Sequence, residues 1–331
     1  MYNSAPPNGA GWAFIGWAIN ISLLTELKAL FGDKSMRVLI AGASGLVGSA
    51  LRSTLKAAGT DVTPLVRAAA KSGEIEWHPN RGSIDAPALE GFDAVINLSG
   101  DGIANGRWTE EKKHRIVDSR VNGTRLLSET MANLARKPGA FINASAVGFY
   151  GSRGDELVDE ESGPGEGFLA NVCRQWESAT APAEQAGIRV VKLRLGVILT
   201  PNGGIMGSML RPFKLGLGGK VGSGEQVISW VAMDDVVAAI DFILQNDSLR
   251  GPINVVAPHP VTNEEFTKIL GRVLSRPTFM AMPAFAARLV FGEMADEMML
   301  SSTRVSPKAL EGAGYEFQYP QLEPAMQHLL A

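Results

Sequence analysis

The sequence predicts an α/β fold, a doubly wound parallel sheet with a smaller C-terminal α+β lobe. Three observations carry that expectation. Short apolar runs with little alternation, such as "RVLIAG" (37–42), "DAVINLSG" (93–100) and "RVVKLRLGVIL" (189–199), read as strands buried on both faces. Stretches of helical spacing separate these runs, an order that calls for parallel pairing through right-handed crossovers. The 331 residues suffice for one large domain plus a lobe.

Residues 1–35 stand apart as an N-terminal extension. Within them "GWAFIGWAINISLL" (11–24) carries no charge and two tryptophans. It is shorter than the roughly 20 apolar residues a spanning helix needs. Neither a preceding basic segment nor a small-residue cleavage site marks a signal peptide. Three readings stay open: a helix docked on the body, a membrane-surface or partner-binding helix, or an extension upstream of the fold.

The body opens with "MRVLIAGASGLVGSALRSTLKAAG" (36–59). A strand meets a glycine turn, and Leu46, Val47, Ala50, Leu51 and Leu55 then follow helical spacing until Gly59. "DVTPLVR" (61–67) is the second strand, although Pro64 removes a ladder donor. The next strand (93–100) leads into a long helix, 109–135, with Glu110 and Glu111 near its positive end. "AFINASAVG" (140–148) is a strand and "FLANVCRQWESATAPAEQAG" (168–187) a helix that Pro182 kinks or breaks. After the strand 189–199 the texture turns glycine-rich (201–226). Helix 236–244, strand 253–257 and helix 262–274 come next, the last opened by a capping box of Thr262 and Glu265. Residues 36–200 are expected to form the nucleotide-binding domain. Residues 201–331 are expected to form mainly the substrate lobe, with some segments returning to the core.

Composition excludes several function classes. A net charge of −3 gives no basic surplus for nucleic acid. One cysteine, Cys173, cannot form an internal disulfide and suits a reducing cytoplasm. The four histidines show no metal-ligand spacing, so no metal is expected. A soluble, cytoplasmic monomer or homodimer acting on a small molecule fits this balance.

Gly42, Gly45 and Gly48 stand three apart between a strand and a helix. Gly42 permits the tight turn, Gly45 lets a pyrophosphate approach the backbone, and Gly48 lets the helix pack closely. The free N–H groups at the helix start then hold the negative charge. This is the Rossmann-type dinucleotide turn, with Ser44, Leu46 and Val47 completing its contacts. The second strand ends in Arg67, with Lys71 close behind, where an NAD-binding chain would carry an acid. A guanidinium suits a 2′-phosphate, so NADP is expected in preference to NAD.

With these motifs the chain resembles the extended short-chain dehydrogenase/reductases. "NLSG" (97–100) resembles the segment that lines the cofactor, which implicates Leu98, Ser99 and Gly100. "RVNGT" (120–124) and "NASAVGFYG" (143–151) resemble two further superfamily stretches. "WHPNRGSID" (77–85), "GRWTEEKKHRIVDSRVNGT" (106–124), "FLANVCRQWE" (168–177) and "GLGGKVGSGEQVISWVAMDD" (216–235) narrow the match to an atypical, epimerase-like branch. That branch, labelled NAD-dependent epimerase/dehydratase, ends in a small C-terminal domain of unknown function.

The resemblance implies a serine, a Tyr-x-x-x-Lys pair and an asparagine. Ser145 matches the serine. Arg120 stands at the asparagine position and cannot copy its carbonyl, because arginine accepts no hydrogen bond. It is read as fixing Ser145's surroundings, holding an anionic substrate, or pairing on the helix surface. With Glu177 setting the register, Leu169 and Cys173 occupy the Tyr and Lys positions. A shift by one gives Phe168 and Val172, so neither register offers a phenol or a cation. Tyr150 is a candidate proton donor, though shaping the pocket is the preferred reading. Cys173 is a candidate nucleophile or shuttle, with buried packing preferred. Trp77 and His78 are expected beside the adenine, and Gly196 and Val197 beside the nicotinamide. Trp230 and Asp234 resemble a late pocket-wall motif, with Asp234 as a possible helix cap. The expected activity is NADP-linked hydride transfer on a small carbonyl, hydroxyl or sugar-like substrate. The alternative is a non-catalytic NADP-binding sensor or partner-binding protein.

Overall fold

The apolar runs become strands of one sheet. The computed structural model describes residues 35–104 and 106–331, and the expectations for 11–24 lie outside them. In chain order β1 (Arg37–Ala41), α1 (Leu46–Ala57), β2 (Asp61–Val66), β3 (Ile75–His78), β4 (Ser83–Ile84) and β5 (Ala94–Asn97) form the first half. Then come α2 (Glu110–Ala132), β6 (Ala140–Ala146), β7 (Leu157–Val158), α3 (Phe168–Ser178), α4 (Ala181–Gln185), β8 (Arg189–Leu195) and β9 (Val197–Leu199). They are followed by α5 (Gly204–Lys214), β10 (Val227–Ile228), β11 (Trp230–Ala232), α6 (Met233–Gln245), β12 (Gly251–Val255), β13 (Val261–Thr262) and α7 (Asn263–Leu274). The chain ends through α8 (Ala284–Phe291), β14 (Arg304–Val305), α9 (Lys308–Gly312) and α10 (Leu322–Leu330).

The main sheet runs β12-β8-β6-β5-β1-β2-β3-β4. All its pairs are parallel except β3 with β4. The chain builds outward from β1 to β3, then crosses back to β5 on the other flank. The reversal leaves a crevice at the carboxyl ends of β1 and β5, where ligands of doubly wound sheets bind. Side chains of β1 alternate between two cores, as a strand covered on both faces requires. Val38 and Ile40 pack with Leu51, Leu55 and the apolar face of α6. Leu39 joins Trp77, Leu127, Met131 and Phe141 on the other side.

Pro64 does lie in a strand, opposite Ile40 of β1. On its other flank β3 pairs only with Leu65 and Val66, so the missing N–H falls beyond the end of that ladder. The helix around 168–187 breaks before Pro182, into α3 and α4. Trp77 and His78 are the last two residues of β3. The Thr262 capping box is present in full.

Beyond residue 200 the chain does not leave the sheet: β12 pairs with β8 at its edge. A third buried cluster joins α5, α7 and α10 through Met206, Phe213, Phe266, Leu270, Leu322 and Met326. Of these helices, α5 borders the crevice.

Candidate functional site

At the carboxyl end of β1 the backbone passes so close to β5 that only glycine fits. Gly42 has a φ of 80°, and a Cβ there would lie 2.7 Å from the carbonyl carbon of Leu98. A Cβ on Gly48 would fall on the carbonyl oxygen of Gly42. The first bond of α1 runs from the Ser49 N–H to Gly45, so the N–H groups of Leu46, Val47 and Gly48 have no partner in the helix. Its first turn carries no acid and Gly45 offers no side-chain cap. The end of α1 is thus open and electropositive, fit for a pyrophosphate.

Two connected cavities meet at this turn, and both are lined by Gly42, Gly45, Leu98, Ser99 and Gly100. The first, about 1380 Å³, runs over the ends of β2 and β3. Ser44, Arg67, Trp77 and His78 line it, joined by Arg52 and Arg81. The last two were not singled out from the sequence. Arg52 sits on the second turn of α1, and Arg81 on the short helical turn after β3. Asp61 lies at the far end of β2, paired with Arg37 at 3.6 Å.

The second cavity, about 1000 Å³, lies between the ends of β5, β6 and β8 and helices α3 and α5. Leu46, Val47, Arg120, Ser145, Cys173, Gly196 and Val197 all line it. Beneath its floor a buried polar network ties the strands to the helices. Asn97 and Asn143 face each other across β5 and β6. The Asn97 amide donates to Asn143 Oδ1 at 2.8 Å and to Thr124 Oγ1 at 2.9 Å. Trp176 donates to the same hydroxyl at 2.9 Å, and Asn97 accepts from Ser99 Oγ at 2.6 Å. An asparagine in each of two otherwise apolar strands, at the end of β5 and the middle of β6, was the sequence signal for this network.

Ser145 is buried, and its hydroxyl lies 2.7 Å from Glu177 Oε1. Arg194 grips the same carboxylate with both arms, Nε to Oε1 and Nη2 to Oε2, each at 2.9 Å. Both oxygens of this carboxylate thus act as acceptors. Ser145 therefore donates to it and presents lone pairs, not a proton, to the cavity. Glu177 was used from the sequence only to set the register. It lies four residues after Cys173, hence on the same helix face.

Tyr150 departs from the expectation. It is fully buried beneath the site and does not line the cavity. Its hydroxyl accepts from Arg194 Nη1 at 2.9 Å and donates to Asn254 at 2.7 Å. Burial raises its pKa above the usual phenol value. With its proton engaged and its ring enclosed, it neither donates to a bound substrate nor shapes the pocket. Its place follows from a tight helical turn at 147–150, which carries the ring under the sheet end. Cys173 borders the cavity but is buried, and burial pushes its thiol pKa up to about 12. A neutral thiol is a poor nucleophile.

Arg120 is half-buried. Its guanidinium lies 5.1 Å from the Trp176 ring centre, and a Cβ on Gly100 would meet it at 3.2 Å. Its one hydrogen bond among the described residues goes to the Ile116 carbonyl, at 3.1 Å, and no carboxylate pairs with it there. The surface ion pair considered from sequence is therefore not what holds it. Asp234 is not a cap either, because α6 starts one residue earlier, with Ala232 as its cap. Trp230 is buried and donates to the His259 carbonyl, away from the cavity. Among the described residues no helix is long and apolar enough to cross a membrane, and no group of three His, Cys, Asp or Glu could hold a metal.

Known proteins share this arrangement. An epimerase family protein of Mycobacterium bovis is 46% identical over 290 residues, 87% of this chain and 96% of that protein. The crystal structure of the human epimerase family protein SDR39U1 with NADPH superposes with a TM-score of 0.83 at 33% identity, covering 89% of this chain and 99% of the human one. Thermus thermophilus UDP-glucose 4-epimerase, in complex with NAD, shares the fold, with a TM-score of 0.67 at 18% identity over 89% and 98% of the two chains. The profile of a C-terminal domain of unknown function, DUF1731, matches residues 282–329. The profile of the NAD dependent epimerase/dehydratase family matches residues 38–257, and to that family, with its NAD(P)-binding fold, the chain belongs.

Proposed function

We propose that the protein binds NADP(H) and uses it for hydride transfer at an oxygen-bearing carbon of a small substrate. The observation that carries this reading is the continuity of the two cavities through the glycine turn. On one side stand Arg52, Arg67 and Arg81, where the 2′-phosphate of a dinucleotide laid across the turn would fall. On the other stand Ser145 and the walls of a substrate-sized space. Arg67 and Arg52 would hold the 2′-phosphate by charge-assisted hydrogen bonds, about 1.5–3 kcal/mol each. Leu46, Val47 and Gly48 N–H groups would hold the pyrophosphate, and Leu98, Ser99 and Gly100 would line its other side. Gly196 and Val197 would flank the nicotinamide. A bound nicotinamide supplies hydride donor and acceptor chemistry. The protein's own contribution is to bind, orient and exclude water.

Ser145 supports a role different from that implied by the resemblance. With its proton held by Glu177, it accepts a hydrogen bond from a substrate hydroxyl rather than donating to a carbonyl. A second reading, an NADP-binding sensor without turnover, is favoured by one observation: neither Leu169 nor Cys173 can replace a tyrosine or a lysine. NADP-dependent turnover across a panel of alcohols and carbonyl compounds separates the two. Turnover that falls at least about 100-fold in Ser145→Ala, with NADPH affinity unchanged, supports the enzyme. Tight NADPH binding with no turnover on any panel member favours the sensor.

A further inference from the structure

The second cavity contains one cation among its described lining residues, Arg120. Three of its four lining acids are engaged elsewhere, and the fourth, Glu166, is exposed. Asp101 pairs with Lys112 at 2.7 Å and Asp296 with Arg288 at 2.8 Å. Glu297 caps α3 by accepting from the Phe168 and Leu169 N–H groups at 3.1 and 3.0 Å. Arg120 spends one arm on a backbone carbonyl, and its other N–H groups have no hydrogen-bond partner among the described residues. Burial lowers its pKa from the ordinary arginine value, so its charge is held at a cost that an anion would relieve. The planar group is already fixed between the Trp176 ring and Gly100, so little entropy is lost when it grips a carboxylate with two bonds.

The cofactor's 2′-phosphate would have Arg52, Arg67 and Arg81 in the first cavity, which Arg120 does not line, and its pyrophosphate would have the open N–H groups of α1, whose first residues share the second cavity with Arg120. Ser145, which lines the same cavity, offers a hydrogen-bond acceptor. Apolar walls from Leu169, Val172 and Ile198 suit a short carbon chain. We propose that this cavity takes a small hydroxycarboxylate. Its carboxylate sits on the Arg120 guanidinium, and its hydroxyl donates to Ser145 Oγ. This deepens the reading above and rests on it for the cavity's role as substrate site, but the binding itself depends only on this chain's residues.

The test is calorimetric titration of the full chain with lactate, 3-hydroxybutyrate and malate, each with and without saturating NADP+. Lactamide, methyl lactate and the parent acids propionate, butyrate and succinate serve as controls. NADP+ is titrated separately. At least one hydroxy acid should bind in the millimolar range or tighter, and its amide or ester should not. Arg120→Ala should weaken that binding at least tenfold, Arg120→Lys should restore part of it, and NADP+ affinity should stay within about twofold in both. Ser145→Ala should erase the advantage of the hydroxy acid over its parent acid. No binding by any hydroxy acid, equal binding of acid and amide, or a parallel loss of NADP+ affinity in Arg120→Ala would overturn the proposal. Hydroxy acid binding without any NADP+ binding would instead overturn the cofactor reading and leave the carboxylate site standing.

Discussion

Glu177 accepts three hydrogen bonds inside the protein, two from Arg194 and one from Ser145. A buried pair of this kind adds little net stability but is costly to break by halves. Glu177→Gln, which leaves the Arg194 charge uncompensated, should cost about 3–5 kcal/mol in urea unfolding. Glu177→Leu combined with Arg194→Met should recover most of that, and a single change costing under about 1 kcal/mol would contradict the geometry. Cys173 makes a pH prediction. Its folded pKa is raised, so the thiol's contribution to stability is complete below its unfolded value and is lost as pH rises towards about 12. The stability difference between the wild type and Cys173→Ala should therefore shrink from about pH 8 to about pH 10, and iodoacetamide should label the thiol only after unfolding. The absence of a Tyr-x-x-x-Lys pair was plain in the sequence. What fills the space was not, because Glu177, Arg194 and Tyr150 meet only through strands and helices far apart in the chain.

Among the elements, the β1–α1 turn was the most legible. Its demands are steric and local: Gly42 lies against Leu98 and Gly48 against Gly42, and no other residue type meets them. Gly48→Ala should cost about 2 kcal/mol or more through overpacking and should weaken dinucleotide binding by displacing the N–H groups of α1. Unchanged unfolding and affinity would mean that the turn is looser than described. Arg67's place on the first cavity was readable because it directly follows β2, whose end borders the crevice. Arg52 was not, since an arginine within a helix reads as a solvent-facing residue until the packing of α1 aims it. Asp234 lies two residues past the cap of α6, and Tyr150 is carried under the sheet end by a four-residue helical turn, differences that local spacing does not resolve. Pro64 shows the converse: a residue that argued against a strand is tolerated because β3 is too short to reach it.

For the whole molecule, strand order follows from the alternation of strands and helices, and with it the position of the crevice beside β1 and β5. The C-terminal region was harder to read. β12 returns to the edge of the sheet while α5, α7 and α10 share a separate core, and glycine-rich connections at 201–226 carry no periodicity to announce either. The resulting crevice has an arginine-rich end and a substrate-sized end, and the central claim proposed for it is selectivity for the phosphorylated dinucleotide. Calorimetric titration with NADPH and NADH measures that directly, in the wild type and in Arg52→Ala and Arg67→Ala. NADPH should bind more tightly than NADH. Each substitution should lower NADPH affinity about tenfold, or about 1.4 kcal/mol, and leave NADH affinity within about twofold. Equal affinity for the two dinucleotides, or an NADPH preference unchanged by removal of both arginines, would contradict it.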